Sequence, residues 1–326
     1  MRALIIGAGV ISKVHCDALV SHNVTVAGIY DVRLEAAQAL AKQFGAKAYN
    51  DLEEALNSGI DFAVVCTPSG THASLANRVM EAGKDVVVEK PLALTTEDCD
   101  AILQTEQRTG RICAPISQFR FSPVFRAVKD CLDRQALGTL VMSSLSMKDP
   151  RPPEYYADTW KGTKKMDGGE LMNQGIHGID VMCGLLGKPT AVSGHVTTRC
   201  HEIEAEDTAV AHLVFPGGTL GTVDSSTAVG NWKPRRLEIC GSNGLIVIES
   251  DRVTLAEGVD LEQADPQRSR DGWNVSVDLH ALSYQNILAA MLRNAPLEYT
   301  AEDAANTVRV ICAIYESSET GRRVHL

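Results

Sequence analysis

The stretch "MRALIIGAGVIS" (residues 1–12) contains the pattern on which the prediction of the fold depends. A short apolar run leads into two glycines, and a helical stretch follows them. Gly7 is placed to make a tight turn. Gly9, followed by Val10 and Ile11, would let the backbone approach a pyrophosphate at the N-terminus of a helix. The pattern predicts a dinucleotide-binding turn, although an ordinary tight turn uses the same glycines.

Two positions after the glycines bear on the cofactor. The third glycine of the usual fingerprint is Ser12, which we expect to loosen the packing of helix on strand slightly. Asp31 ends the second predicted strand, where an acidic group hydrogen-bonds the adenosine ribose. A carboxylate would repel the additional 2′-phosphate of NADP, so Asp31 favours NAD. Arg33 nearby keeps NADP possible.

The first part of the chain alternates strand-like and helix-like segments. Strands such as "VTVAGIYD", "DFAVVCT" and "DVVVEKP" consist largely of unbroken apolar residues, and amphipathic helices separate them. Such strands are typical of a parallel sheet that is covered on both faces. We therefore predict a doubly wound α/β Rossmann domain over residues 1–121.

The pattern changes after Phe121. Alternating runs such as "DTAVAHLVF" and "TLGTVDSS" are separated by the turn signals "PGG" and "GSNG", which favour antiparallel pairing. Two helices, at about 279–293 and 302–319, end the chain. Residues 122–326 are predicted to form an α+β domain on a mostly antiparallel sheet.

Length and charge limit the classes of function. The 326 residues are too many for one ordinary core, and the net charge of -10 argues against nucleic acid or anionic lipid as a partner. No apolar run approaches the roughly 18 residues of a membrane span, and we expect no signal peptide. The nine scattered cysteines are typical of a reducing cytoplasm. The acidic run "HEIEAED" (201–207) lacks compact ligand spacing, so no metal site is predicted.

The segment "DGGELMNQGIHGID" (167–180) places polar groups in a run that otherwise resembles buried core. In a regular helix, Asn173, His177 and Asp180 would lie on one stripe. Buried polar groups need hydrogen-bond partners, which a substrate with several hydroxyls can supply. Alternatively, these side chains satisfy one another or a loop. The two glycines between Asn173 and Asp180 would each cost a helix about 1 kcal/mol, which is tolerable where something packs very close.

The turn "VVVEKP" ends the fifth predicted strand at the carboxyl edge of the sheet, where open α/β sheets bind ligands. By itself, Glu89 beside Lys90 would be an ordinary surface pair of little energetic value. Together with "GAGVISKVH", "CTPSGTH", "EKPLALT", "GGELMNQGIHGID" and "AIYESSETGRRV", however, it resembles the Gfo/Idh/MocA family, named for glucose–fructose oxidoreductase and inositol dehydrogenase. The resemblance covers essentially the whole chain, and its motifs are specific for the family but not for a substrate.

The resemblance implies a nucleotide-binding domain followed by a domain for substrate binding and oligomerisation, whose open sheet often makes dimers or tetramers. We therefore expect a homodimer or homotetramer. The usual activity of the family is the NAD(P)-dependent oxidation or reduction of a sugar or polyol hydroxyl, so a small carbohydrate or polyol is the expected substrate.

Three catalytic positions are carried over by the resemblance. Moving a hydride from an alcohol also moves a proton, which requires a group that exchanges protons and a group that stabilises an alkoxide. His177 is the natural acid/base, because imidazole titrates near neutrality. Lys90, held by Glu89, would stabilise the negative charge, or would itself be the base if burial lowers its pKa. The acid of the family's acid-x-x-x-His pair is Asn173, which removes one charge.

The remaining expected site residues follow from the same motifs. Those expected at the cofactor are Gly7, Gly9, Val10, Ile11, Asp31, Arg33, Thr67, Pro68, His72, Glu89, Lys90 and Gln118. Those expected at the substrate are Lys90, Arg120, Tyr156, Trp160, Asn173, His177 and Asp180. Weaker candidates, for which a structural role is as good an interpretation, are Tyr155, Lys161, Lys164 and His280.

Two other functions remain open. An NAD-dependent glycosidase or lyase would oxidise a ring carbon transiently and expel a leaving group without net NADH. A dinucleotide-sensing regulator would need neither Lys90 nor His177, so the presence of both argues against it.

Overall fold

The computed structural model describes residues 1–157, 160–261 and 275–326, without the side chains of 275–277, and its first sheet is entirely parallel. The strand order is 3-2-1-4-5-6, which reverses between the first and fourth strands. The strands are β1 (Arg2–Ile6), β2 (Thr25–Tyr30), β3 (Lys47–Tyr49), β4 (Phe62–Val65), β5 (Asp85–Val88) and β6 (Cys113–Pro115). The helices that follow them are α1 (Val10–Ser21), α2 (Leu34–Phe44), α3 (Leu52–Leu56), α4 (His72–Glu81) and α5 (Thr96–Thr109). This order confirms the predicted doubly wound fold, whose ligand crevice lies at the reversal.

Local signals in the sequence determine where these helices begin and end. Asp51 caps α3 by accepting a hydrogen bond from the amide of Glu54 at 3.0 Å. Thr95 caps α5 in the same way, with the amide of Asp98 at 3.1 Å. Gly45 ends α2 with φ 65°, a left-handed conformation that costs glycine little. All three boundaries follow from short local signals in the sequence, namely a capping side chain or a glycine after an apolar periodic stretch.

The second sheet has eight strands in the order 13-12-11-7-10-9-8-14. They are β7 (Leu140–Lys148), β8 (Ala191–Thr197), β9 (Thr208–Val214), β10 (Leu220–Ser226), β11 (Lys233–Gly241), β12 (Leu245–Glu249), β13 (Arg252–Glu257) and β14 (Val324–His325). Every neighbouring pair is antiparallel except β7 with β10. The predicted turns "PGG" and "GSNG" join the antiparallel pairs β9–β10 and β11–β12, so the mostly antiparallel sheet is confirmed.

Four longer helices accompany the second half of the chain. They are α6 (Pro123–Asp133), α7 (Ile176–Leu186), α8 (Val275–Met291) and α9 (Ala301–Thr320). α7 packs on β7 and β11, and α6 packs on α7. Residues on β9 alternate between buried and exposed, as expected for a sheet with one covered and one open face.

The contacts divide the chain into two compact units that are discontinuous in sequence. The first unit comprises Met1–Gln118 with Asn274–Ala305, and the second comprises Phe119–Trp273 with Asn306–Leu326. α8 therefore belongs to the first unit, where Tyr284 and Ile287 lie in its core. The predicted domain bounds, 1–121 and 122–326, stay a prediction.

Among the residues that the structure describes, no helix combines the length and apolarity required to cross a membrane.

Candidate active site

The glycine turn between β1 and α1 is held in a conformation that requires glycine. Gly7 has φ +101°, and a Cβ on it would lie 2.8 Å from the carbonyl oxygen of Cys66. Ser12 is fully buried, and its hydroxyl donates to the carbonyl of Gly7 at 2.7 Å. A Cβ on Gly9 would meet nothing closer than 4.0 Å, so the backbone is open at the start of α1. The turn thus leaves room for an anion at the helix N-terminus.

Asp31 connects this turn to the end of β2. Its carboxylate accepts the amide of Ala8 at 2.8 Å and the amide of Arg33 at 2.9 Å, through different oxygens. Each oxygen keeps a second lone pair for a ribose hydroxyl. Val10 and Val32 beside the turn are 96% and 79% exposed, which gives a bound nucleotide an apolar surface to cover. These features fit a dinucleotide.

The turn after β5 holds Lys90 through Glu89. One carboxylate oxygen of Glu89 accepts the backbone amide of Lys90 at 3.0 Å. The other lies 2.8 Å from Nε2 of His15 and 3.3 Å from Nε2 of His280. Burial by itself would raise the pKa of Glu89, but the hydrogen bonds to His15 and then His280 hold it well below its usual value. Glu89 is therefore a buried, ionised carboxylate, and it fixes the backbone of Lys90.

The ligand atoms of His15, Glu89 and His280 lie within 4.8 Å of one another, a geometry that a metal ion could use. Their hydrogen bonds already account for the arrangement, because the hydroxyl of Tyr284 lies 2.8 Å from Nδ1 of His15 and completes the network. His280, which is 1% exposed, serves this network within the first unit. His280 is turned toward Glu89, and its contact with a substrate stays a prediction.

His72 joins the turns that follow β4 and β5. Its Nε2 lies 2.9 Å from the carbonyl oxygen of Thr67, and its Nδ1 lies 2.7 Å from that of Pro91, which follows a cis peptide bond. Burial lowers the pKa of His72, and a neutral imidazole can donate to only one of these two carbonyls. Pro68, between Thr67 and the start of α4, caps the short helical turn there.

Gln118 ends the first unit. Its Oε1 atom is buried and finds no hydrogen-bond partner among the residues that the structure describes. Unsatisfied buried polar atoms are rare in proteins and need an explanation. A cofactor amide or hydroxyl would satisfy this one, which fits the predicted place of Gln118 beside the cofactor.

In the second unit, the predicted polar helix begins differently from a regular α-helix. Leu171–Gly175 forms a π-helical turn, and α7 follows it. Because a π turn contains more residues than an α turn, the spacing of Asn173 relative to His177 and Asp180 differs from that of the regular helix that was assumed. That the three side chains lie on one stripe stays a prediction. π turns inside helices occur frequently at functional sites.

Acidic and amide side chains orient Asn173. Its amide nitrogen donates to Asp167, and its oxygen accepts from Gln174 at 3.0 Å. The carboxylate of Asp167, which is 2% exposed, also accepts the amide of Gly162 at 2.7 Å. Asn173 is therefore oriented by the buried Asp167 and by Gln174.

Two buried glutamates lie next to the π turn. Burial raises the pKa of Glu170 to about 8 and that of Glu206 to about 7. One oxygen of Glu170 accepts the hydroxyl of Ser225 at 2.6 Å, while the other is buried without a hydrogen-bond partner among the described residues. A small pocket of about 10 Å³, partly open to solvent, is lined by both glutamates and by Asn173. Near neutral pH the pair thus retains protons that surface glutamates would release.

His177, the second residue of α7, contacts an aromatic ring. The ring centroids of His177 and Phe119 are 5.4 Å apart at an interplanar angle of 83°, an edge-to-face contact. At the next residue, a Cβ on Gly178 would lie 2.6 Å from the sulfur of Met147, on β7. The close approach that was expected at the glycines of this segment is therefore present.

Arg120 and Asp180 bind each other in the second unit. Arg120 donates Nε and Nη2 to the two oxygens of Asp180 at 2.8 and 2.9 Å, and Thr307 donates to the same carboxylate at 2.8 Å. Asp180 is 3% exposed. Paired in this way, the two side chains secure α7, and their predicted contact with the substrate stays a prediction.

The other predicted substrate residues lie around the loop before the π turn. The hydroxyl of Tyr156 is 3.0 Å from that of Thr227, and burial raises the pKa of Tyr156 to about 12. The ammonium group of Lys161 lies 3.6 Å from the ring centroid of Tyr155. Trp160 is half-buried, and Lys164 is exposed. Contact of these residues with a substrate stays a prediction.

Sequence reasoning missed several residues of this region. Asp167 and Glu170 lie in the polar segment 167–180, but its residue pattern does not show that both acids are buried. Glu206 lies in the acidic run at 201–207 and is 8% exposed. Phe119 and Arg235 were not among the predicted site residues, because the contacts of Phe119 with His177 and with Arg235 depend on the tertiary fold.

Two family models match the chain. Residues 1–116 match the GFO_IDH_MocA model, described as an oxidoreductase family with an NAD-binding Rossmann fold. Residues 125–247 match the model of the GFO/IDH/MocA C-terminal domain.

Individual proteins are similar over the whole chain or most of it. Myo-inositol 2-dehydrogenase of Thermotoga maritima is 26% identical, covering 100% of this chain and 98% of the relative. The scyllo-inositol 2-dehydrogenase (NADP(+)) IolW of Bacillus subtilis is 26% identical, covering 86% and 83%. The crystal structure of the WlbA dehydrogenase from Bordetella pertussis, in complex with NADH and UDP-GlcNAcA, is 28% identical with a TM-score of 0.95, covering 100% and 97%.

Proposed function

The chain belongs to the GFO/IDH/MocA family of oxidoreductases, and from that premise we propose that it is an NAD(P)-dependent dehydrogenase of a sugar, sugar derivative or cyclic polyol. The similar proteins named above act on inositols or bind a nucleotide sugar, with NAD(H) or NADP as cofactor. The observation that carries the proposal is the turn after β5, where a buried network fixes Lys90 at the carboxyl edge of a Rossmann sheet.

The residues divide the work between binding and proton transfer. Gly7, Gly9 and Asp31 would hold the dinucleotide, which supplies the nicotinamide that exchanges a hydride with the hydroxyl-bearing carbon. His177 exchanges the proton of the reacting hydroxyl, and the ammonium of Lys90 stabilises negative charge on its oxygen. Lys90 lies in the first unit and His177 in the second, so their meeting over one substrate is part of the proposal.

NAD is the favoured cofactor. Asp31 stands where a ribose hydroxyl would bind, and its charge opposes the 2′-phosphate of NADP. The exposed guanidinium of Arg33 lies 3.6 Å from Asp31 and leaves use of NADP possible.

The test is a panel of sugars and inositols incubated with the protein and NAD or NADP. We expect NADH or NADPH to form in step with a keto product, measured by absorbance and mass spectrometry. Release of an aglycone without net NADH would identify the glycosidase or lyase instead. Tight NADH binding without turnover of any substrate would favour a regulator.

We also propose that the protein is a homodimer or homotetramer assembled through the open face of its second sheet. Four apolar residues that are 42–58% exposed share that face: Met142, Val210, Leu220 and Leu255. Sedimentation should show a multiple of the 35.1 kDa chain, which Leu220→Glu reduces. Leu292→Glu, at an exposed leucine of α8, is the control. A monomeric wild type would contradict the proposal.

A cytoplasmic location is proposed from the nine cysteines, an odd number without disulfide or metal-binding spacing. Alkylation of all nine thiols in freshly lysed cells would support it.

A further inference from the structure

Arg235, at the start of β11, is separated from His177 by a single aromatic ring. Its guanidinium carbon lies 4.3 Å from the ring centroid of Phe119. The same ring packs edge-to-face on His177, with the centroids 5.4 Å apart. All three residues belong to the second unit, so their spacing is that of one compact body.

The charge of Arg235 is not matched by a close partner within the part of the chain that the structure describes. There, its guanidinium makes no hydrogen bond and no ion pair within 4.0 Å. Burial lowers its pKa, against the longer-range attraction of Asp149 and Asp251. Asp149 is bound by Arg151 at 2.8 Å. Burial raises the pKa of Asp251, while the Ser122 side chain and the charge of Arg235 oppose that rise. A desolvated guanidinium is costly unless an anion compensates it.

The neighbouring residue shows the contrast. Arg236 points to the other side of β11 and is paired with Glu238 at 2.5 Å and with Glu249 at 3.1 Å. Two adjacent arginines on one strand therefore differ. Arg236 has two carboxylate partners, whereas among the described residues Arg235 has an aromatic face and only the longer-range attraction of Asp149 and Asp251.

There is also space beside Arg235. It lines a small pocket of about 30 Å³, partly open to solvent, together with Phe119, Ser122 and Asp251, and the remaining walls are largely apolar, including Val181. In such a setting a guanidinium binds a carboxylate or phosphate more strongly than it does at an exposed surface, and its planar fork can make two parallel hydrogen bonds.

We propose that the substrate carries an anionic group, a carboxylate or a phosphate, and that Arg235 binds this group beside His177. The inference rests on the proposed dehydrogenase function and narrows its substrate class to sugar acids, sugar phosphates and their nucleotide derivatives. Arg235 is then a specificity-determining residue, which fixes where the substrate lies but exchanges no proton.

The test compares charged with neutral substrates in the protein loaded with NAD. The neutral probes are glucose and myo-inositol, and the anionic probes are glucuronate, glucose 1-phosphate and UDP-glucuronate. Comparing glucuronate with glucose 1-phosphate separates a carboxylate from a phosphate as the recognised group. The variants are Arg235→Gln and Arg235→Lys, with Arg236→Gln as the matched control.

We expect wild type to prefer an anionic probe. Arg235→Gln should raise KM for that probe by about tenfold to a hundredfold, the loss expected for hydrogen bonds to a charged group, while kcat changes much less. Arg235→Lys should lie between, and Arg236→Gln should match wild type. For neutral probes, all three variants should behave alike.

Two results would overturn the inference while leaving the dehydrogenase function intact: a wild type that oxidises only neutral probes, or an Arg235→Gln variant that loses neutral and anionic substrates equally. If no probe is oxidised, calorimetric titration of UDP-glucuronate into the NADH-bound protein tests the anion site directly. Binding that Arg235→Gln abolishes would support the anion site even without turnover, and absence of binding would overturn it.

Discussion

Asp31 shows how much a single carboxylate determines. It accepts two backbone amides, which ties the glycine turn to the end of β2 and keeps a negative charge at the edge of the predicted nucleotide site. The same carboxylate therefore has a structural role and a selective role, and a substitution has to separate them.

Asp31→Asn should do so. An asparagine oxygen stands at the same distance along the side chain and can still accept the amide of Ala8, but it carries no charge, so NAD affinity should fall by about tenfold and discrimination against NADP should decrease. Fluorescence titration with NADH and NADPH measures both. Asp17→Asn, which removes a charge on α1, is the control. An equal loss of both cofactors would contradict a role for the charge in selection.

The raised pKa of Glu170 predicts that the stability of the folded protein depends on pH. The pKa of Glu170 is about 8 in the folded protein and about 4.3 in an unfolded chain, so the folded state holds a proton that the unfolded state releases. The stability from this group is therefore full below about pH 4 and is lost as pH rises toward 8, by a few kcal/mol at most. Glu206, with a raised pKa of about 7, acts in the same direction.

Glu170→Gln, which resembles the protonated form, should remove this dependence. Its melting temperature relative to wild type should rise between pH 5 and pH 8, as measured by thermal unfolding. Exposed Glu154→Gln should show no such trend. A constant difference between Glu170→Gln and wild type across this range would mean that Glu170 stays ionised.

Individual residues differ in how well the sequence predicts them. Gly7, Asp51 and Thr95 act through neighbours in the chain, so short patterns were sufficient to identify them. Glu170 and Arg235 act through distant residues, Ser225 and Phe119, and their burial is a property of the assembled sheet. The sequence of the segment does not show that Asp167 and Glu170 are both buried.

Among the elements, the junction of the π turn with α7 matters most. The π turn carries Asn173, and α7 carries His177 and lies against β7. Gly178 permits that approach, because a side chain there would meet Met147 and Leu145 at 2.6 and 2.8 Å. The position of the proposed acid/base thus depends on helix-to-sheet contact.

Gly178→Ala should push α7 away from β7. We expect a loss of about 1–3 kcal/mol in the free energy of unfolding, typical of overpacking, together with reduced turnover, since His177 moves with the helix. Urea unfolding and steady-state kinetics measure the two effects. Gly230→Ala, where a Cβ meets nothing within 4 Å, is the control. Unchanged stability in Gly178→Ala would show that the sheet can adjust.

Helices and strands were predicted well where periodicity is the signal, as in the α/β alternation. The π turn was not, since one added residue in a turn leaves the apolar pattern of "GGELMNQGIHGID" nearly unchanged. Parallel pairing of β7 with β10 was also missed, because strands far apart in sequence carry no mark of their neighbours.

At the scale of the whole molecule, the C-terminal region makes contacts with the N-terminal part of the first unit that the sequence does not predict. α8 returns to the first unit and contributes Tyr284 and His280 to the network around Glu89. A helix near the end of the chain therefore supports the turn of Lys90, which no local pattern reveals. The proposed enzyme depends in turn on Lys90 and His177, one from each unit, acting on the same hydroxyl.

The most direct measurement of that claim is the rate of NADH formation in a single turnover for wild type, Lys90→Met and His177→Ala, with a substrate found by the panel. Fluorescence titration first establishes that each variant still binds NADH. We predict that both variants lose at least about a hundredfold in rate, the usual contribution of a positioned acid/base, and that the near-neutral limb of the pH profile disappears in His177→Ala. Near-normal rates in both variants would contradict the account.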